Sequence, residues 1–497
     1  MTLIADGSAE LTSTDPRDGS VVAAYPLASP ADVERAVSEA RAAAESWRAL
    51  GPGGRREALL AWKAEIAAGA RELAGVISRE TGKTPDDGVL EITLALTHLD
   101  WAAKHAEKVL ARRKVPSGLA SYNQSASVGY EPYGVVGVIG PWNYPVYTPM
   151  GSISYALAAG NAIVFKPSEL SPATGRWLAD AWRRAVPQRA AFTVVIGDGA
   201  TGAALAASDV DKIAFTGSPG TARRVMAACA ERLTPVVIEA GGKDAMIVAR
   251  DADLDQAVAF AVFGGMGNAG QTCAGVERVY VEAPVHDEFL ERLAAAVAAL
   301  KPGPEASASY GPMTMSKQLG IVSAHIGEAI ERGARAVAGG ADAVQGAYVA
   351  PVVLTEVPGD CAVVREETFG PVLVVERAAS LDDAVAKAND TAYGLAASVF
   401  TRDLKQGRRI ALRLRAGAVS VNSVLGFAGI PSLPFGGRGE SGFGRIHGAD
   451  GLREFSVAKS VAVQTSKPFI DLLRIDRSAR DMHLAERMLH MLHAKRK

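Results

Sequence analysis

The chain is poor in cysteine: Cys229, Cys273 and Cys361 are the only three in 497 residues. They lie too far apart for a disulfide framework or a metal-spaced cluster, so neither a stapled secreted domain nor a metal site is expected. A reducing cytoplasm fits them. An excess of either charge is also missing, with 53 Lys plus Arg against 54 Asp plus Glu. No global field therefore favours nucleic acid or an anionic membrane, and no nucleic-acid partner is expected. No uncharged apolar run reaches about 18 residues, the length a membrane-spanning helix requires. The opening MTLIADGSAELTSTDP has neither a basic nor an apolar stretch, so no signal peptide is expected. Internal repeats are absent too. What remains is a soluble globular composition, 48% hydrophobic and 22% charged. At about 100–200 residues per domain, the length suits two or three domains.

What is present is a regular alternation. SPADVERAVSEARAAAESWRAL offers Ser29 as N-cap, Pro30 at the first helical position and Asp32 in the first turn, and alanine-rich helices follow to about Arg112. From residue 134, the short β-branched runs GVVGVIG, AIVFK, FTVVI, KIAFTG and PVVIEAGG are separated by helical stretches. A second alternation begins near DAMIVA and runs through RVYVEA, PVLVVERA and GAVSVN. Strands alternating with helices predict βαβ units. The expected fold class is α/β with two doubly wound parallel-sheet lobes. PSLPFGGRGESGFGR, at 431–445, reads as a long functional loop.

The last stretch, 467–497, differs in composition, with eight Lys or Arg, four acids, and Leu472, Ile475, Ala479, Met482 and Leu489 at helical spacing. It predicts a basic amphipathic helix. Two readings stay open for it: docking on its own protein or a subunit neighbour, and reversible attachment to an anionic membrane surface.

Three segments bear on phosphate binding. ETGKT (80–84) looks like the end of a Walker A motif, but Ile77 stands where that motif needs glycine and no strand leads in, so it is rejected. GDGATG (197–202), with Gly197 and Gly202, follows a strand and precedes a helix; it is either a dinucleotide fingerprint or a plain strand-to-helix turn. FTGSPG (215–220) places Phe215, Gly217 and Ser218 at a second such turn, where free helix N–H groups can hold a pyrophosphate.

Cys229 and Cys361 read as small buried hydrophobes. Cys273 sits in GNAGQTCAG, where Gly267, Gly270 and Gly275 bare the backbone for a substrate. A helix starting just after it would stabilise a thiolate. No histidine falls in a motif-like segment, so a Cys–His pair is not indicated. Local features alone leave Cys273 between packing and chemistry.

Remote segments decide it. GNAGQTCAGVERVYV resembles the cysteine segment of the NAD(P)-dependent aldehyde dehydrogenase superfamily. VIEAGGKDAMIV (237–248) resembles its glutamate segment, GPWNYP (140–145) its oxyanion segment, and FKPSE (165–169) and EETFGPV (366–372) its cofactor segments; LPFGGRGESGFGR (433–445) also matches. The likeness runs over roughly residues 20–465, in the family's order. It implies oxidation of an aldehyde to a carboxylate, with Cys273 as nucleophile, Asn143 and the Cys273 N–H as oxyanion donors, and Glu239 as base for thioester hydrolysis. Glu239 also speaks against relatives that release the acyl group to CoA. Lys166 and Glu169 resemble the pair that holds the adenosine ribose, and a carboxylate there repels a 2′-phosphate, so NAD is expected ahead of NADP. Trp142, Ser218 and Gly241 are expected along the cofactor, Glu367 on the nicotinamide ribose and Phe369 behind the ring.

The resemblance further implies an NAD-binding domain at 1–115 and 134–243, a catalytic domain at 244–445, oligomerisation strands at 116–133 and 446–466, a tail at 467–497, and a homodimer or homotetramer. Departures from the family pattern are Ala222, Gly439, and Ser152 and Val457 at positions that elsewhere relay protons. Thr148, Gly151 and Gly267 match positions often filled by bulkier side chains, while Tyr144 keeps an aromatic wall and Leu425 and Phe427 offer an apolar one. An apolar lining binds apolar ligands. The expected substrate is a medium-to-long aliphatic or an aromatic aldehyde; a semialdehyde or amino-aldehyde, such as succinic semialdehyde, is the alternative, and a silent NAD-binding scaffold the rival of another class.

Overall fold

Ser29 opens the first helix through a capping box. Its hydroxyl accepts from the Asp32 N–H while the Asp32 carboxylate accepts from the Ser29 N–H, which satisfies two donors a helix start otherwise leaves orphaned. The helices Pro30–Ala49, Gly51–Ala68, Ala70–Thr81 and Pro85–Leu110 follow in succession. A hairpin of Glu10–Thr14 against Val21–Pro26 precedes them. Its second strand, VVAAYP, is diluted by alanine, which hides it from a β-propensity reading.

The structure is a computed structural model that describes residues 10–118, 121–187, 190–468, 470 and 474–494. It divides into a larger unit, Met1–Val109 with Pro132–Ser456, and a smaller one, Leu110–Glu131 with Val457–Lys497.

The larger unit holds two sheets. The first runs, edge to edge, Gly442–Phe443, Val236–Glu239, Lys212–Thr216, Val135–Ile139, Ala162–Lys166 and Phe192–Val194. Every neighbouring pair is parallel except the first, where Gly442 lies opposite Glu239. Val135–Ile139 and Ala162–Lys166 are buried along their whole length, as strands covered by helices on both faces must be. The chain builds one half of this sheet outward from Val135–Ile139, then crosses to Lys212–Thr216 and builds the other half. The strand order thus reverses between these two, and the crevice beyond their carboxyl ends is where a doubly wound sheet takes its ligand.

The second sheet runs Arg335–Ala338, Val352–Thr355, Val372–Ala378, Val276–Glu282, Asp244–Val248, Ala396–Phe400 and Ala418–Val421, parallel except for its first pair. Met246, Val279, Val281, Phe289 and Val374 lie in its core. Cys361 is buried in that core and Cys229 in the core of the first lobe.

The smaller unit is a three-stranded sheet of Arg113–Val115, Gln124–Pro132 and Ser456–Gln464, followed by the helix Ala479–His493. The expected extension at 446–466 begins too early. Its first part forms the helix Gly448–Glu454, which belongs to the larger unit. Ser478 caps the last helix, none of whose residues is buried, with Met482, Leu489, Met491 and Leu492 exposed. Leu472 lies outside the described residues. Among those described, no helix is long and apolar enough to cross a membrane.

Candidate active site

The helix Leu254–Met266 ends in a short turn, Gly267–Gly270, whose residues Asn268, Ala269 and Gly270 have φ of 53, 56 and 71°. A side chain at Gly270 would meet the Gly370 backbone at 2.1 Å, so only glycine closes the turn. Cys273 follows, half-buried, and the chain then enters the strand Val276–Glu282. The helix that the bare loop suggested is therefore absent, and no helix N-terminus lowers the thiol. Burial, and after it the Glu239 carboxylate, pushes the Cys273 thiol well above its ordinary value.

Two strand ends of the first sheet supply its companions. Asn143, buried, lies just past Val135–Ile139; its side-chain amide donates to the Gln271 carbonyl at 3.0 Å and its own carbonyl accepts from Asn268 at 3.2 Å. Glu239 ends Val236–Glu239, 5% exposed, and neither of its oxygens has a hydrogen-bond partner. Burial raises it to about 7, and the Cys273 thiol and Thr216 hydroxyl, close to it but short of full hydrogen bonds, offset part of the rise. A high thiol beside a lone carboxylate of high proton affinity is a donor and acceptor suited to one proton.

A cavity of about 310 Å³ includes Cys273 and Glu239 in its wall. The rest of the wall is largely apolar or aromatic, with Tyr144, Tyr147, Phe263, Leu425, Phe427 and Phe435 prominent. Tyr144 hydrogen-bonds Thr272 across the cavity's edge at 3.0 Å, and Phe427 stacks on Phe435 with centroids 5.4 Å apart. Thr148 and Gly267 also line it.

The residues at the sheet's reversal fit a dinucleotide. Ser218 caps the helix Pro219–Ala230, and a side chain at Gly220 would have no group within 4 Å, so this helix N-terminus is open to an anion. At the other candidate turn, Asp198 caps Gly199–Ala207 with its own carboxylate, which competes with phosphate; Gly197 is bare to accommodate Thr201, and Gly202 lies beside Lys166. Lys166 is buried with its ammonium 3.3 Å from the half-exposed Glu169. Gly217 packs against Phe215, leaving no room for a side chain. Glu367 accepts from the Gly242 N–H at 3.0 Å, and Gly241, at φ 68°, leaves the space that carboxylate fills. Burial pushes Glu367 up to about 8. Phe369 stands edge-on to Trp142 at 5.6 Å, a two-ring wall of the kind a nicotinamide needs.

The model of the aldehyde dehydrogenase family matches residues 4–461. The chain belongs to the aldehyde dehydrogenase family. Its enzymes are oxidoreductases that use NAD or NADP. Among relatives, 4,4′-diapolycopene aldehyde oxidase of Methylomonas sp. is 38% identical over 92% of this chain and 86% of its own. A Mycobacterium ulcerans protein with the provisional name succinate-semialdehyde dehydrogenase (NADP(+)) 2 is 36% identical over 89% and 86%. The crystal structure of lactaldehyde dehydrogenase from Escherichia coli superposes with a TM-score of 0.88 at 31% identity, covering 92% of this chain and 96% of that one. An aldehyde dehydrogenase structure from Brucella melitensis biovar abortus 2308 gives 0.88 at 32%, covering 94% and 96%.

Within this aldehyde dehydrogenase fold, one expectation needs correction. Gly151 does not line the cavity. A side chain there would meet His447 at 2.6 Å and Ile446 at 2.9 Å, so the glycine makes room for the wall rather than widening the cavity directly. A histidine outside the motifs also lines the cavity. His447, with φ 64° and ψ 163°, lines the cavity and lies against His98, ring centroids 3.8 Å apart. His98 Nε2 donates to the Ala428 carbonyl at 2.8 Å, and burial holds both imidazoles below their ordinary pKa, hence neutral. Neither residue lies in a motif, so only three-dimensional packing reveals them. The expected preference for NAD over NADP gains nothing from kinship, since a relative is named for NADP(+).

Proposed function

We propose that the chain oxidises an apolar, medium-to-long aliphatic or aromatic aldehyde to its carboxylate with NAD. The observation that carries this reading is Glu239, buried with both oxygens unpartnered, sharing with Cys273 the wall of a mostly apolar cavity. Cys273 gives its proton to Glu239 and bonds the aldehyde carbon through sulfur. The oxygen that gains charge is held by the Asn143 amide and the Cys273 backbone N–H. A nicotinamide dinucleotide held beside Cys273 would supply the hydride acceptor for that carbon. Glu239, once its proton has passed to solvent, takes a second from the water that hydrolyses the Cys273 thioester, and carboxylate leaves as the thiol reforms.

Trp142, Lys166, Glu169, Ser218, Gly241, Glu367 and Phe369 would hold the cofactor, with Phe215, Gly217, Gly197 and Gly202 shaping its bed. Glu169 is the reason for NAD: its carboxylate beside the ribose site opposes a 2′-phosphate. The semialdehyde alternative has relatives in its favour, but the cavity offers a second carboxylate no free cation among the described residues. The lysine in the cavity wall, Lys83, is already paired with Glu91. Three cysteines spaced too far apart in sequence for a disulfide framework favour a reducing compartment, the cytoplasm. Strand Ser456–Gln464, exposed past its first residue, supports pairing into a dimer or tetramer. The helix Ala479–His493, with no residue buried, leaves an apolar side free for a subunit neighbour or for an anionic lipid surface.

NADH absorbance with octanal, benzaldehyde and succinic semialdehyde, wild type against Cys273→Ala, tests the reading. Octanal or benzaldehyde should give the higher kcat/KM. A clear preference for the semialdehyde overturns the substrate class, and a wild type as inert as the variant overturns the activity.

A further inference from the structure

ETGKT is no phosphate loop. Gly82 is a left-handed C-cap of Ala70–Thr81, and the next residue turns inward. The Lys83 ammonium, with a fully buried side chain, donates to Glu91 at 2.6 Å and to the Asn143 carbonyl at 2.9 Å, and lies 4.0 Å over the Tyr144 ring. The other Glu91 oxygen accepts from the Val146 N–H at 2.7 Å and the Tyr147 N–H at 3.1 Å. Val146 is the N-cap of the helix Tyr147–Ala159 and has no side chain able to cap it, so Glu91 does so from another helix. One ion pair thus grips the 143–147 backbone on both sides of its bend, by a carbonyl and by two amides.

We propose that Lys83 and Glu91 are positioning residues for the oxyanion donor, fixing the Asn143 backbone so that its side-chain amide meets the aldehyde oxygen. A buried pair is weak evidence for stability in itself, because desolvation offsets much of the attraction. Here each partner also supplies hydrogen bonds to the loop that presents Asn143. An error of about 1 Å in a catalytic group costs on the order of 100-fold in rate. This inference rests on the role proposed for Asn143.

The test is a cycle in two backgrounds. Lys83→Met/Glu91→Gln removes the pair without stranding a charge, and should lower kcat/KM by about tenfold or more in the wild type. In Asn143→Ala, where no donor is left to position, the same change should cost less than about threefold. Equal losses in both backgrounds, or no loss in the wild type, overturn the proposal. Glu91→Gln alone, which keeps size and an acceptor oxygen, serves if the double variant does not fold, with a smaller loss expected in the same pattern. Alkylation of Cys273 by iodoacetamide should proceed at the wild-type rate in every variant that supports the proposal, and a parallel fall in that rate overturns it in favour of general loosening. A fully active Asn143→Ala would instead overturn the reading of Asn143 beneath it.

Discussion

The two sides of Cys273 are built on opposite principles. On the aldehyde side the wall is largely aromatic and aliphatic, with Asp87 in it, its lysine paired with Glu91 and its imidazole uncharged. On the cofactor side, charge is left available in Lys166 and Glu169, loosely paired at 3.3 Å, while Glu367 takes one backbone N–H. Yet each side rests on the same device. Lys83 and Glu91 hold the segment 143–147, while Lys243 pairs with Glu277, whose oxygens accept from the Thr368 and Phe369 N–H groups at 2.9 and 3.0 Å. Buried ion pairs serve here as fasteners for loops, and what differs is what each loop presents. An apolar wall selects by shape and area, a charged crevice by complementary groups.

The comparison breaks first where the two sides meet. Cys273→Ala should abolish NADH formation while leaving dinucleotide binding, read by fluorescence titration, near wild type. Next comes Asn143→Ala, expected to cut kcat/KM on the order of 100-fold for a lost oxyanion donor.

Glu239 belongs to both sides and should show in pH. The rate should rise with pH as Glu239 loses its proton near 7, and a profile of Glu239→Gln should lack that limb. Stability should move the other way. Unfolded, this carboxyl loses its proton near 4.5, whereas the folded chain keeps it to about 7. Between those values the unfolded chain binds fewer protons, so stability is full below about 4.5 and falls as pH rises through 7. Denaturant unfolding of Glu239→Gln against wild type at pH 8 should show the variant more stable, on the order of 3 kcal/mol.

Smaller effects sharpen the contrast. Glu169→Ala should narrow the preference for NAD over NADP by about tenfold, and an unchanged ratio would place the discrimination elsewhere. Gly267→Phe should lower kcat/KM for octanal while sparing acetaldehyde. Least affected should be catalysis in Leu489→Glu/Leu492→Glu, whose kinetics should match wild type while flotation on phosphatidylglycerol vesicles is lost; equal flotation would refute lipid attachment.

Much of this was legible in the chain. The first lobe's strands announced themselves as β-branched runs buried on both faces, and Ser29 and Asp32 marked a helix start by chemistry alone. Cys273, Asn143 and Glu239 stood out through their motifs, though what raises the thiol lay hidden, because it comes from burial and a carboxylate 34 residues away in sequence. In the second sheet, Ala396–Phe400 escaped because alanine and serine carry little β signal. His98 and His447 could not be found by period or motif, since they lie far apart in sequence and meet beside Gly151 only once the chain has folded. Lys83 was visible in sequence only as part of a rejected phosphate loop. Its partners are a carboxylate two helical turns onward and a carbonyl in a distant loop, and no spacing rule joins those.

The edge strand that carries Glu239 is sealed by Gly442–Phe443, which pairs Gly442 with Glu239 itself. On a ribosome, that cover arrives only after about two hundred further residues have been added. Until then the first sheet has an open edge beside its base, the kind of edge that invites a foreign strand. A nascent or truncated chain therefore carries the thiol without a completed site around it. Assembly order makes the last stretch of the larger unit the licence for the reaction, and a stop before Gly442 should yield an aggregating chain rather than a weak enzyme.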